Sequence, residues 1–221
     1  MSRFGLIGHP LSHSQSPSLF AEAYGEAHTY ELIDTTDFNQ AWNIFLSDFK
    51  AVNVTMPFKE EAAARADFRS PEVQRTGAAN ILVKTERGIE AHNSDYLALV
   101  RILNGFKEEL GLDSPSLAVI GMGGAGKSAF AAAEDCGFKV VSYHHDEIAE
   151  GVRADVIVYT LPKFVEGASR LHCRILLEAN YRDPALSCRP NSETENSYKY
   201  VSGLVWLREQ AKTGFEIMTG I

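Results

Sequence analysis

Short apolar runs alternate with amphipathic stretches along the whole chain, and this order predicts an α/β fold. Runs bounded by turn residues predict strands at residues 3–8, 29–34, 51–55, 81–85, 89–92, 117–121, 139–143, 156–159 and 175–178. Helices are predicted to begin near Pro17, Asp37, Lys59, Ser94 and Gly124. Strand, helix and strand in succession favour right-handed crossovers and a doubly wound sheet. The long helix after Ser94 indicates a boundary between two α/β lobes.

The composition is that of a globular protein with an acidic balance. The 221 residues include 21 Lys and Arg against 29 Asp and Glu, which gives a formal net charge of −8. This charge is a poor match for a nucleic-acid backbone or an anionic membrane, so neither partner is expected. The three cysteines are far apart, and no cysteines or histidines have the spacing of metal ligands, so no disulfide framework or metal site is predicted. Without a signal-peptide pattern or a membrane-spanning apolar run, the expected location is the cytoplasm. Polar residues 188–199 predict a loop.

A glycine-rich turn follows the predicted strand at residues 117–121 and opens a helix. Residues 121–126 satisfy GxGxxG, in which a pyrophosphate rests on backbone N–H groups at the start of the helix. With Lys127 and Ser128 the same stretch also satisfies GxxxxGK[ST], the phosphate loop of ATP-using enzymes. A phosphate-loop enzyme needs several more βα units after its lysine than the short chain beyond Lys127 can supply, so the dinucleotide interpretation is favoured. Glu178, at a predicted strand end, keeps the phosphate-loop alternative open as the best candidate acid for Mg²⁺.

Six short motifs stand in one order along nearly the whole chain. They are GHPLSHSQSP at residues 8–17, NVTMPFK at 53–59, GAAN at 77–80, HNSD at 92–95, the glycine turn at 121–126 and a closing pattern at 203–220. In this order they resemble the motifs of the shikimate dehydrogenase family, with Ser94 where the family has threonine. The resemblance implies an N-terminal α/β substrate lobe and a Rossmann dinucleotide-binding lobe. It also implies reversible, NADP-linked reduction of 3-dehydroshikimate to shikimate.

The resemblance also implies domain limits and residue roles. It places the substrate-binding domain at residues 1–100, with the closing helix 204–221 packing back on it, and the Rossmann domain at 101–203. Catalysis is assigned to Lys59 and Asp95. An ammonium can stabilise the negative charge that develops on a ketone oxygen and deliver a proton, and a nearby carboxylate keeps it charged. The residues assigned to substrate binding are Ser14, Ser16, Thr55, Asn80, Gln210 and Tyr181.

The two serines also suit a carboxylate on their own chemistry, because they form a hydroxyl-rich turn at a predicted helix start. Asn93 is assigned either to fixing its turn or to touching the substrate. The residues assigned to the cofactor are Gly121, Gly123, Gly124, Ala125, Gly126, His144, His145 and Gly203.

The chain departs from the family pattern on the cofactor side. YHHD at residues 143–146 replaces the family's Asn-Arg-Thr, so no arginine stands there for the 2′-phosphate of NADP. The resemblance still implies NADP as the cofactor, and the missing arginine leaves NAD possible. Trp206 replaces the usual methionine beside the nicotinamide, and Tyr159 begins an altered strand end.

Two other functions stay open from the sequence. One is a quinate/shikimate dehydrogenase variant with relaxed cofactor use, and the other is a weakly catalytic protein that binds shikimate and a dinucleotide. The only expected ligands are small molecules, and the expected oligomeric state is a monomer or a homodimer.

Overall fold

A computed structural model of the chain describes residues 2–25, 27–187 and 198–220. Residues 188–197 of the predicted polar loop lie outside the described residues. The chain divides into a first unit of Met1–Ser94 with Arg208–Ile221 and a second unit of Asp95–Leu207. Both boundaries fall inside long helices, α5 (Ser94–Leu110) and α7 (Gly203–Thr219). The boundaries predicted at residues 100 and 204 fall inside the same two helices.

The first unit is built on a mixed sheet. Its strands are β1 (Arg3–Gly8), β2 (Thr29–Asp34), β3 (Ala51–Val54), β4 (Phe68–Arg69), β5 (Ile81–Thr85) and β6 (Gly88–His92). They lie in the order β2-β1-β3-β5-β6-β4. β1 pairs in parallel with β2 and β3, whereas β5 is antiparallel to β3 and β6 and forms the predicted hairpin. The complete helices are α1 (Ser16–Tyr24), α2 (Phe38–Asp48), α3 (Lys59–Arg65) and α4 (Pro71–Thr76).

Helix α2 shows how the sequence builds one layer of this unit. The Asp37 side chain accepts the N–H groups of the first turn and so caps the helix. Phe38, Ala41, Trp42 and Phe45 recur at helical spacing and are all buried in one apolar cluster with β1 and β3.

A second apolar cluster involves the opposite end of the chain. Phe4 of β1 and Phe20 of α1 pack with residues from the C-terminal part of α7. These residues are Ala211, Phe215 and Met218. The end of the chain is therefore part of the core of the first unit.

The second unit holds a parallel sheet. Its five strands are β7 (Ser116–Ile120), β8 (Lys139–Tyr143), β10 (Val156–Tyr159), β12 (Ile175–Glu178) and β13 (Lys199–Ser202), with a separate short pair, β9 (Val152–Arg153) and β11 (Leu171–His172). The order β13-β12-β10-β7-β8, with every neighbouring pair parallel, is that of a Rossmann-like unit. Helix α6 (Gly124–Asp135) follows β7. The predicted α/β fold class is confirmed, while the predicted loop ends before Lys199 because that residue begins β13.

Across the part of the chain that the structure describes, no helix is long and apolar enough to cross a membrane.

Candidate functional site

Asn80, Ser94 and Gln210 form a polar network in the first unit. Asn80 is buried, and its Nδ2 donates to Ser94 Oγ at 3.0 Å and to Gln210 Oε1 at 3.4 Å. The backbone N–H of Ser94 donates to Asn80 Oδ1 at 2.8 Å, and the Ser94 hydroxyl donates to Gln210 Oε1 at 3.3 Å. The structure therefore brings two predicted substrate residues, Asn80 and Gln210, together with Ser94, to which the sequence assigned a helix start and a place in the HNSD motif but no role in binding.

Tyr30 and Asn53 extend this network. The Tyr30 hydroxyl donates to Asn53 Oδ1 at 2.7 Å, and Asn53 Nδ2 donates to the carbonyl of Asn80 at 3.3 Å. Burial raises the pKa of Tyr30 above its ordinary value, so the hydroxyl stays a proton donor. Sequence reasoning singled out neither residue. An asparagine inside the buried strand VNV was the available signal for Asn53, because a polar side chain in such a strand needs a partner.

The two serines assigned to the substrate lie in a turn that Asp34 holds in place. Ser14 and Ser16 are half-buried, and Ser14 Oγ accepts the N–H of Ser16 at 3.3 Å. Asp34, at the end of β2, accepts the N–H of Leu11 at 3.0 Å and contacts His9 Nδ1 at 2.7 Å. The hydrogen bond from Leu11 lowers the pKa of Asp34 most, and that of His9 lowers it further. Asp34 therefore fixes the backbone that leads to the serines, a role that sequence reasoning missed.

Thr55 and Lys59 follow the carboxyl end of β3. The Thr55 methyl group packs over Gly8 so closely that a Cβ at Gly8 would come within 2.3 Å of it. Lys59 is half-buried at the first position of α3, and its carbonyl accepts the N–H of Ala79 at 2.8 Å. The predicted catalytic lysine is thereby joined through its backbone to the turn that carries Asn80.

Asn93 fixes the turn that follows α4. It is buried, and its Nδ2 donates to Thr76 Oγ1 and to the carbonyl of Ala78, both at 3.0 Å. Of the two roles left open by the sequence, this geometry supports the first. Nearby, Glu72 contacts His92 Nδ1 at 3.4 Å. Burial by itself would raise the pKa of Glu72, but hydrogen bonds led by that of His92 lower it to about 2.

The glycine turn of the second unit has the shape that a pyrophosphate requires. Gly121 has φ +92°, and a Cβ at Gly126 would lie 1.9 Å from the Gly121 carbonyl oxygen. A Cβ at Gly123 or Gly124 would meet no atom of the described residues within 4 Å, so the backbone at the start of α6 is open. The Thr160 hydroxyl donates to the Gly121 carbonyl at 2.9 Å and holds the turn. These residues fit a dinucleotide at the helix start.

The other residues assigned to the cofactor are arranged around the same sheet. Ala125 is half-buried in the first turn of α6, and His144 and His145 are exposed directly after β8. Gly203, at the start of α7, approaches the segment after β12 so closely that a Cβ there would lie 2.4 Å from the Ala179 carbonyl oxygen. Tyr181, assigned to the substrate, is half-buried in that segment.

The phosphate-loop alternative is disfavoured by two side chains of the second unit. Ser128, its Mg²⁺ ligand, is buried inside α6. Glu178, its candidate acid, is fully buried, and its carboxylate accepts the N–H of Ala185 at 2.6 Å, the N–H of Leu186 at 3.2 Å and the Tyr200 hydroxyl at 2.8 Å. Within the described ranges, no group of three His, Cys, Asp or Glu side chains could hold a metal ion.

Asp95, the predicted catalytic acid, lies in the first turn of α5. Its backbone carbonyl accepts the indole N–H of Trp206 at 3.1 Å, and Trp206 itself is buried in the apolar core of the second unit. Tyr159 is also fully buried, and its hydroxyl donates to the carbonyl of Lys163 at 2.7 Å. Both residues, which sequence reasoning placed on the nicotinamide side, therefore have structural roles within their own unit.

Each unit thus has its own candidate site. Six predicted residues lie in the first unit: Ser14, Ser16, Thr55, Lys59, Asn80 and Gln210. Asp95, Tyr181 and the residues assigned to the cofactor lie in the second. The fold and these sites define an α/β protein with a buried polar site in one unit and a dinucleotide-type glycine turn in the other.

Comparison with known proteins connects this architecture to one family. Residues 6–82 match the family model of the shikimate dehydrogenase substrate binding domain. A shikimate dehydrogenase (NADP(+)) of Chromohalobacter salexigens is 39% identical over 130 residues, which are 56% of this chain and 47% of that protein. Its counterpart in Thermus thermophilus is 36% identical over 147 residues, which are 63% of this chain and 54% of that protein. The chain spans about half the length of the curated relatives it matches.

Solved structures extend the likeness to the whole fold. The crystal structure of Thermus thermophilus shikimate 5-dehydrogenase in complex with NADP(H) and shikimate gives a TM-score of 0.81 at 25% identity and covers 100% of this chain and 94% of that one. The shikimate dehydrogenase of Mycobacterium tuberculosis gives a TM-score of 0.79 at 27% identity, with coverage of 100% and 94%. The predicted resemblance of the chain to the shikimate dehydrogenase family is therefore confirmed.

Proposed function

We propose that the chain catalyses the reversible, NADP-linked reduction of 3-dehydroshikimate to shikimate. The observation that carries the proposal is the network of Asn80, Ser94 and Gln210, which places amide and hydroxyl groups side by side in a buried setting. Asn80 and Ser94 are buried and bonded to each other, whereas Gln210 is only half-buried, and amide and hydroxyl groups of this kind suit the ring hydroxyls and carboxylate of shikimate. Residues 6–82, which include Asn80, match the family model of the substrate binding domain, and a relative named for this activity is 39% identical over 130 residues.

The predicted carboxylate-binding and catalytic residues have the following tasks in this reaction. Ser14 and Ser16 bind the substrate carboxylate through their hydroxyls, and Tyr181 stays a predicted substrate residue. Lys59 stabilises the negative charge that develops on the carbonyl oxygen and delivers a proton to it, while Asp95 keeps the lysine charged.

The glycine turn supplies the dinucleotide site. Backbone N–H groups of the glycine turn at the start of α6 hold the pyrophosphate, and Gly203, which has no side chain, lets α7 begin close to the segment after β12. When bound, the reduced dinucleotide supplies the hydride. We keep NADP as its form because the relatives are named for it, with NAD possible and with His144 and His145 as predicted contacts of the adenosine end. Cytoplasmic location and a monomer or homodimer remain predictions from the sequence.

The proposal is tested with two substitutions in the predicted catalytic pair. We expect Lys59→Ala and Asp95→Asn each to lower turnover about 10²- to 10⁴-fold, as loss of a general acid or its partner does. Shikimate affinity, measured by calorimetry, should stay much closer to that of the parent. Turnover is followed as absorbance of the reduced nicotinamide with shikimate and NADP or NAD. Lys139→Ala, at an exposed lysine of β8, is the control and should leave turnover unchanged.

The same assay separates the alternatives left open by the sequence. Turnover with quinate as well as shikimate would indicate the relaxed variant, and shikimate binding without turnover would indicate a binding protein. If Lys59→Ala turned over like the parent, the catalytic role of this residue would be wrong.

A further inference from the structure

The carboxyl end of β8 lies beside the glycine turn. β7 and β8 pair in parallel with Ile120 opposite Tyr143, and the N–H of Gly121 donates to the Tyr143 carbonyl at 2.8 Å. In doubly wound dinucleotide-binding folds, the group at the end of this second strand meets the 2′ position of the adenosine ribose. The residues directly after Tyr143 therefore face the part of the ligand that distinguishes NAD from NADP.

A carboxylate occupies this position. Glu147 stands four residues beyond the end of β8, but its side chain folds back, and Glu147 Oε2 accepts the N–H of His144 at 2.6 Å. The N–H of Glu147 in turn donates to the carbonyl of His144 at 3.2 Å, which closes the turn. A carboxylate has two oxygens with about four acceptor sites, so this contact leaves capacity for a ribose hydroxyl.

The local charge acts in the same direction. Residues 144–151 contain three carboxylates, Asp146, Glu147 and Glu150, and no lysine or arginine. Arg170, whose guanidinium donates to the Ala149 carbonyl at 2.5 Å, brings one positive charge to this segment against the three carboxylates. A 2′-phosphate adds further negative charge beside Glu147 and is repelled by it. A 2′-hydroxyl carries no charge and can donate a hydrogen bond to one of them.

We propose that Glu147 is a specificity-determining residue of the dinucleotide site. It accepts a hydrogen bond from the 2′-hydroxyl of NAD and repels the 2′-phosphate of NADP, so that this chain binds NAD at least as tightly as NADP. This inference rests on the dinucleotide site of the proposed function and widens its cofactor from NADP to NAD as well. It gives the residues after β8 a role different from the phosphate contact predicted for His144 and His145.

The test is a calorimetric titration of the chain with NAD⁺ and with NADP⁺, in which affinity is measured without turnover. We expect the parent to bind NAD⁺ at least as tightly as NADP⁺. In Glu147→Gln, which keeps the shape of the side chain and removes its charge, we expect the affinity for NADP⁺ relative to NAD⁺ to rise about 10-fold. Glu150→Gln is the matched control, because it removes one charge from the same exposed segment, and it should change the ratio less than about twofold.

Several results would overturn the inference. They are a parent that binds NADP⁺ more tightly than NAD⁺, a ratio unchanged in Glu147→Gln, or an equal change in both variants, since the last would reflect only the total charge of the segment. Binding of neither dinucleotide would overturn the inference and the cofactor site together. Loss of shikimate oxidation with intact NAD⁺ binding would count against the proposed function alone and leave the role of Glu147 standing.

Discussion

The buried carboxylate of Glu178 is expected to fix the segment that follows β12 in its place within the second unit. Its three hydrogen bonds come from the N–H groups of Ala185 and Leu186 and from the Tyr200 hydroxyl. In Glu178→Gln, one oxygen becomes an NH₂ group, which cannot accept a bond from a backbone N–H. At least one of the three bonds is therefore lost, and a buried donor is left unpaired.

The expected cost follows from these contacts. A hydrogen bond to a charged group contributes about 1.5–3 kcal/mol, so we expect a loss of about 2 kcal/mol in the free energy of unfolding. With an m-value of about 2 kcal/mol/M, the urea midpoint falls by about 1 M. Tyr200→Phe, which removes one donor and leaves the carboxylate, should have an effect of the same sign and no greater size.

The assay is urea unfolding followed by circular dichroism. Glu150→Gln is the control for loss of one negative charge at an exposed site, and its free energy of unfolding should stay within about 0.5 kcal/mol of that of the parent. If Glu178→Gln unfolded at the same midpoint as the parent, the carboxylate would not be what holds this segment.

Two further outcomes are expected. Lys127→Ala should leave the affinities for NAD⁺ and NADP⁺ within about threefold of the parent, with no requirement for Mg²⁺, because the exposed lysine of a dinucleotide-binding helix does not hold phosphates. Titration of the parent and the variant with and without Mg²⁺ checks this. Mg²⁺-dependent ATP binding that disappears in the variant would contradict it. The pKa of Glu72 is lowered to about 2, so its ionised carboxylate stabilises the fold at pH values above its ordinary pKa of about 4.3. This stabilisation is lost as the pH falls from about 4.3 towards 2. The difference in unfolding free energy between the parent and Glu72→Gln, measured in urea at several pH values, should therefore shrink across that window, and a constant difference would show that the carboxylate is not the stabilising species.

Local patterns predicted most of the elements because their signals lie within a few neighbouring residues. The Asp37 cap, the apolar positions of α2 and the glycine turn before α6 all depend on contacts inside one helical turn. Helix α4 (Pro71–Thr76) and strand β4 (Phe68–Arg69) were missed because segments so short give no periodicity. β13 was placed partly in the predicted loop because its sequence KYVS follows a polar stretch.

The candidate site was predicted where motifs carry it and missed where distant segments build it. Asn80 and Gln210 were named from their motifs, but the hydrogen bond between them joins residues that are 130 positions apart. Tyr30 and Asp34 act through partners on other segments, which no local pattern reveals. The position of the Glu147 carboxylate depends on a side chain that folds back onto the preceding turn, which spacing along the sequence does not reveal.

The burial of Trp206 has a practical consequence for following the folding of this chain. Trp206 and Trp42 are its only two tryptophans, and they are buried in the cores of the second and the first unit, respectively. Each unit therefore carries one tryptophan, which can be excited selectively over the tyrosines. Tryptophan emission from Trp42→Phe reports on the second unit alone, and tryptophan emission from Trp206→Phe reports on the first. Coincident transitions in the two variants would mean that the units unfold as one cooperative system, and separate transitions would give each unit its own stability.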